Sequence, residues 1–328
     1  MSVDYINDKQ RIIRNLENCF VPFKQVQEAF DIIDSLRLRQ KVSERSGQNN
    51  CMFIGPSGVG KTEIIRAYCK RPDTLPYEIT ENNAKITVRP VISINAPSPF
   101  SPTRFYQEIL SKVGPYYNSD VNRLKVFELL NKIKLETLII DEAQSIMYSR
   151  GMNVVEGLEA LKDLSNNIHA NIVLFGVPSL ESLVQMDFQY YRRFDVKRLH
   201  PFLELNDEFL SVLRNIEEQI NAPFPLGFSN KSTIIPKTLF KMSNGLISEL
   251  MKAITEIFFE AGLYNPDVKL SDMKISLDTI RNVRVKTLEN MDEEKRKAML
   301  ERMDRISERM LDEKLKIYGP EKGNRKKQ

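Results

Sequence analysis

Gly55-Pro56-Ser57-Gly58-Val59-Gly60-Lys61-Thr62 is the stretch on which the fold turns. It satisfies every position of G-x-x-x-x-G-K-[ST]. The apolar run Cys51-Met52-Phe53-Ile54 leads into it, and a helix-like stretch, Glu63 to Tyr68, leads out. Strand, glycine-rich turn and helix, in that order, are the context the motif needs. Successive backbone N–H groups of such a turn, together with the helix N-terminus, make a cradle for phosphate oxygens. Lys61 can reach the outer phosphates as a point charge. The Thr62 hydroxyl can hold Mg²⁺. The implied ligand is ATP with Mg²⁺, bound by Gly55 through Thr62.

A second motif completes that site. Leu135 to Ile140 reads as a buried parallel strand, and it delivers Asp141 and Glu142 at its C-terminal edge within Leu138-Ile139-Ile140-Asp141-Glu142-Ala143-Gln144. Ligands of open α/β sheets bind beyond the carboxyl ends of the strands. Asp141 is placed to hold the Mg²⁺ shell, and Glu142 to orient or deprotonate an attacking water.

Working outward, 328 residues suit one nucleotide-binding domain and a smaller second one. The expected plan is an N-terminal arm over 1–18, an α/β domain over 19–205, a helical lid over 206–287 and a charged tail over 288–328. A hydrophobic content of 41% is enough for a real core, and a net charge of +4 permits nucleic-acid binding without demanding it. Cys19, Cys51 and Cys69 lack C-x-x-C spacing, which argues against a metal site or disulfides. His169 and His200 are too few and too separated for a metal or triad. No apolar run is long enough to span a bilayer and no signal peptide is evident, so the cytoplasm is the expected compartment.

Alternating strand and helix patterns over the α/β region predict a doubly wound parallel sheet to about Leu199. Helices are expected over 24–38, 104–113, 121–133, 155–166 and 180–186, a strand pair or one long strand over 85–94, broken at Arg89-Pro90, and a strand over 171–175. Residues 1–14 read as a polar arm and 72–84 as a polar insertion of loop formers. From Asp207 the pattern is helical: 208–220, 236–242, 247–264 and 277–285. Met299, Met303, Ile306 and Met310 recur at helical spacing in the tail, over 292–318. That helix either packs on its own domain or docks a partner through its methionine stripe.

Arg192 and Arg193 precede Phe194, after the strand that follows the acidic one. In an oligomeric ATPase an arginine there can cross a subunit interface and stabilise charge on the neighbour's γ-phosphate; Arg193 is the preferred candidate. The apolar turn Phe20-Val21-Pro22-Phe23 can wall an adenine ring or serve as plain core.

With these residues in order, the chain resembles the TniB/TnsC family of AAA+ ATPases, transposition regulators of bacterial mobile elements. The resemblance runs from about Cys19 to Tyr264 and rests on the succession GPSGVGKT, VISINAPSP, LIIDEAQ, IVLFGVP, YYRRF and a helical lid. The PSPFSP segment and the length are similar to versions from CRISPR-associated transposons. The resemblance implies ATP binding, assembly on double-stranded DNA as a ring or filament, and a link between target selection, through a TniQ-type protein, and the transposase. It gives Lys61, Thr62, Asp141 and Glu142 the nucleotide roles already read, and it places Arg192 and Arg193 in the arginine-finger region. Two departures stand out. Gly176-Val177-Pro178 occupies the place of a polar sensor, with Ser179 the first side chain able to serve. Glu249 stands where the lid helix carries a sensor arginine, with Lys252 one turn on. Slow or partner-dependent hydrolysis is the implied consequence. The rival readings are a helicase loader or secretion ATPase, a small-molecule kinase, and a module that binds ATP only for stability.

Overall fold

Strands apolar on both faces need helices on both sides to cover them, and the chain supplies these in sequence. A computed structural model of the chain describes residues 2–42, 50–113, 123–147, 154–181 and 194–289. Helices α1 (Ser2–Glu17) and α2 (Lys24–Val42) precede β1 (Asn50–Ile54) and α3 (Lys61–Tyr68). A hairpin of β2 (Tyr77–Glu81) and β3 (Ala84–Val88) follows, then β4 (Val91–Asn95), α4 (Pro102–Val113) and α5 (Arg123–Lys132). Next come β5 (Thr137–Asp141), α6 (Val154–Asn167), β6 (Asn171–Gly176) and β7 (Phe194–Arg198). The remaining α-helices among the described residues are α7 (Asp207–Ile220), α8 (Ile235–Ser243), α9 (Ile247–Glu260) and α10 (Leu277–Glu289).

Five strands form one parallel sheet in the order β4-β5-β6-β1-β7. The chain crosses from β1 to the far edge at β4, returns through β5 and β6, then passes beyond β1 to β7. That reversal of direction beside β1 is where a doubly wound sheet opens a ligand crevice. Period-2 alternation divides the strand residues between two cores. Met52, Ile54, Ile92, Ile94, Leu138, Ile140, Ile172 and Leu174 face α4, α5 and α6. Cys51, Phe53, Ile139, Val173 and Phe175 face α2 and α3, with Phe53 stacked on Phe175 at 4.7 Å between ring centres.

The structure corrects the sequence reading in three places. The polar arm is helix α1, whose Ile12 and Leu16, four apart on one face, are buried. It is fastened to α7, where the Asn15 side chain donates to the Ile220 carbonyl at 3.1 Å. Gln219 brackets Phe20, accepting from its N–H and donating to its carbonyl. The stretch 85–94, readable as a strand pair or one long strand, is two strands separated at Arg89-Pro90, and they belong to different sheets: among the described residues β3 pairs with β2 and β4 with β5. The partner of β3, strand β2, comes from the stretch read as a loop-forming insertion. Strand β7 was not foreseen, although its residues Phe194 and Val196 alternate toward the core.

Packing divides the chain into two units, Met1–Thr255 and Glu256–Gln328. In the first, α7 is capped by Asn206, whose side chain accepts from the Phe209 N–H at 2.9 Å. In the second, Phe258, Leu263, Ile280 and Val283 are buried. No described helix is long and apolar enough to cross a membrane. The tail over 292–318 and most of the helix expected over 180–186 lie outside the described residues.

Candidate functional site

The glycine-rich turn leaves the end of β1 between β6 and β7. Gly55 N–H donates to the Gly176 carbonyl at 3.1 Å, and Leu199 N–H donates to the Ile54 carbonyl at 2.8 Å. Both neighbours of β1 therefore hold the loop from its base. Gly58 lies in the left-handed region at φ +85, as glycine allows. A Cβ there would also meet Ser248 Oγ at 2.4 Å. Ser248 N–H, in the first turn of α9, donates to the Gly58 carbonyl at 3.1 Å. Helix α9 thus starts directly on the phosphate loop.

Lys61 opens α3 and is buried. Its ammonium donates to the Gly55 and Pro56 carbonyls at 2.8 and 2.9 Å. Burial holds its pKa below the usual lysine value, opposed by the charges of Glu142 and Asp141. The Thr62 hydroxyl donates to Asp141 Oδ2 at 2.7 Å, joining two motifs 79 residues apart. The other carboxylate oxygen of Asp141 accepts from the Glu142 N–H at 2.8 Å. Asp141 is only 3% exposed. Burial raises its pKa above the ordinary carboxylate value, against those two hydrogen bonds.

Glu142 follows the end of β5 and has φ +51, a conformation uncommon outside glycine. Its side chain is exposed, and Oε2 accepts from Gln144 Nε2. Gln144 Oε1 in turn accepts from the Val177 N–H at 3.2 Å. An amide therefore stands at the end of β6, where the resemblance calls for a polar sensor. Sequence reasoning quoted Gln144 within its motif and gave it no role; its spacing of two from Glu142, on a turn, was the available signal. Ser179 lies in the short 3₁₀ turn Pro178–Leu180. Lys252, the candidate for the second sensor, donates to Glu249 at 2.7 Å.

Phe20, Phe23 and Leu246 are half-buried and pack against the cluster that contains Val59 and Leu199. Gln25 pins the chain after β7, donating to the His200 carbonyl and accepting from its N–H. Lys61, Thr62, Asp141 and Glu142 are brought together. Arg192 and Arg193 lie outside the described residues.

The donor set fits Mg²⁺. This ion takes one or two carboxylates along with hydroxyl, water and phosphate oxygens, and Asp141 and Thr62 present a buried carboxylate and a hydroxyl at one point. No cluster of three or more His, Cys, Asp or Glu side chains suited to an all-protein metal cage occurs among the described residues.

The profile of the Bacterial TniB protein family matches residues 11–204. The chain belongs to the TniB family. Its fold is shared with several solved structures. The Aeropyrum pernix ORC2 protein, solved as ADPNP–ADP complexes, superposes with a TM-score of 0.57 at 15% identity, over 85% of this chain and 74% of that one. Cdc6p from Pyrobaculum aerophilum gives 0.56 at 15%, over 86% and 72%. Drosophila ORC bound to DNA gives 0.51 at 14%, over 87% and 69%. No curated protein matches the chain in sequence.

Proposed function

We propose that this TniB-family chain is an ATP-dependent regulator of transposition that assembles on double-stranded DNA and couples target selection to recruitment of the transposase. The observation that carries the nucleotide half is the Thr62–Asp141 hydrogen bond at 2.7 Å, which places a phosphate loop against a buried carboxylate. Membership of the TniB family over residues 11–204 supports the transposition half.

The loop N–H groups and Lys61 bind the β- and γ-phosphates. Thr62 and Asp141 would hold Mg²⁺, which would neutralise charge on the phosphates. Glu142, exposed at the strand end, orients a water for in-line attack and takes its proton. Arg193, or Arg192 beside it, reaches the γ-phosphate of the next subunit. ATP thereby favours the assembled form, and hydrolysis dismantles it. The helices from Asp207 onward act as the lid, as their start of α9 on Gly58 suggests. A TniQ-type protein and the transposase are the partners that fit this role.

Electron microscopy of the purified chain with double-stranded DNA tests the proposal, with and without a non-hydrolysable ATP analogue. Rings or filaments on DNA that need the nucleotide are expected. Particles that stay monomeric in every condition would overturn it.

A further inference from the structure

Gln144 has no part in the reading above, yet it makes the hydrogen bonds that connect Glu142 to the rest of the sheet. The Val177 N–H can only donate, so the side of the Gln144 amide that meets it must be the oxygen. This settles the amide's orientation and turns its NH₂ toward Glu142, whose ionised carboxylate can only accept. Space for the bridge exists because residue 176 is glycine. A Cβ there would lie 2.8 Å from Gln144 Oε1 and 2.7 Å from Leu180 Cδ2.

From this geometry we infer that Gln144 is a positioning residue: it fixes the Glu142 carboxylate for water activation by tying it to the end of β6. The inference rests on the reading of Glu142 as the base of ATP hydrolysis. A side chain two residues away on the same turn performs the orienting, and the neighbouring strand supplies a backbone N–H as its anchor. A shift of the β6 end relative to β5 then moves the base directly. Misplacing a catalytic group by about 1 Å costs on the order of 100-fold in rate.

The test compares Gln144→Met and Gln144→Glu with the parent, each also in a Glu142→Gln background, by steady-state and single-turnover ATP hydrolysis. Methionine keeps the length and removes both hydrogen bonds. Glutamate keeps an oxygen for Val177 N–H but sets a carboxylate against Glu142. Expected for both is a fall in kcat of about 10- to 100-fold, with KM for ATP within about twofold and an unchanged melting temperature. In the Glu142→Gln background neither change should lower the residual rate further, because Gln144 acts only through that carboxylate. A Gln144→Glu chain as active as the parent would overturn the inference, since Val177 would then be the only partner that matters. So would a loss that persists undiminished in the Glu142→Gln background. If the parent hydrolyses ATP as fast as its Glu142→Gln variant, the base assignment fails first and takes this inference with it.

Discussion

Gly58 at φ +85, in the turn after β1, and Glu142 at φ +51, directly after β5, have backbone conformations that side chains seldom adopt. Unusual dihedrals kept at such a place point to function, and each carries a separate prediction. Gly58→Ala would put a methyl group 2.4 Å from Ser248 Oγ and strain the loop as well. Binding of a fluorescent ATP analogue should weaken at least about 10-fold, about 1.4 kcal/mol, in equilibrium titration. Lys61→Ala removes the buried ammonium that faces the loop carbonyls. It should abolish ATP binding and assembly together, seen as no measurable binding in calorimetry and no particles on DNA. Glu142→Gln should leave ATP binding within about threefold while hydrolysis falls about 10²- to 10⁴-fold, trapping the assembled state. A Glu142→Gln chain that hydrolyses as fast as the parent would remove Glu142 from the mechanism. The loop and the two carboxylates were legible in the sequence because their chemistry is local: a fixed spacing on a strand–turn junction. Gln144 was not, because its role depends on which strand lies beside β5, and residue order alone does not say that β6 does.

Among elements, helix α2 is tied to the base of the sheet by one buried cation. The Arg37 guanidinium donates to Glu136 Oε2 at 2.9 Å, to Asp73 Oδ2 at 2.6 Å, to the Asp73 carbonyl at 2.9 Å and to the Tyr68 hydroxyl at 3.3 Å. Burial opposes the charge of Arg37, and the hydrogen bonds to Tyr68, Asp73 and Glu136 outweigh it, raising its pKa. Breaking a buried ion pair costs about 3–5 kcal/mol, and the low end applies here because Glu136 keeps Lys41 and Asp73 keeps Arg71. Arg37→Ala should therefore lower unfolding stability by roughly 3 kcal/mol in denaturant titration. Arg66→Ala, which loses only an exposed pair with Glu63 one turn away, should change it by less than about 1 kcal/mol. Equal effects would mean that the clamp does not hold α2. The central strands were readable as apolar runs because burial on both faces writes itself into composition. Helix α1 was missed because charged residues surround Ile12 and Leu16, and only its partner α7 shows that those two face inward. Strand β7 was missed because an edge strand needs few apolar residues, and its five, Phe194 to Arg198, include just two.

For the whole molecule the governing quantity is charge per assembled length. A net charge of +4 on 328 residues gives one chain only a weak general attraction to DNA. Identical charges repeated through an assembly make a continuous track, so nucleotide should control DNA affinity by controlling the number of subunits engaged. Each neutralised phosphate adds about 0.9 to the slope of log affinity against log salt. Without nucleotide a single chain contacts few phosphates, and affinity should fall only about 10-fold between 50 and 200 mM salt. With a non-hydrolysable ATP analogue the contacts of many subunits add, and the fall should reach about 10³-fold or more. Lys61→Ala changes the net charge by only one unit, from +4 to +3. It should nevertheless keep the shallow dependence in the presence of the analogue, because what it loses is assembly. Fluorescence anisotropy of a labelled duplex across a salt series measures both slopes. Equal slopes with and without nucleotide would show that the chain binds DNA as it stands, and the coupling of ATP to DNA would have to be abandoned while the nucleotide site itself survived.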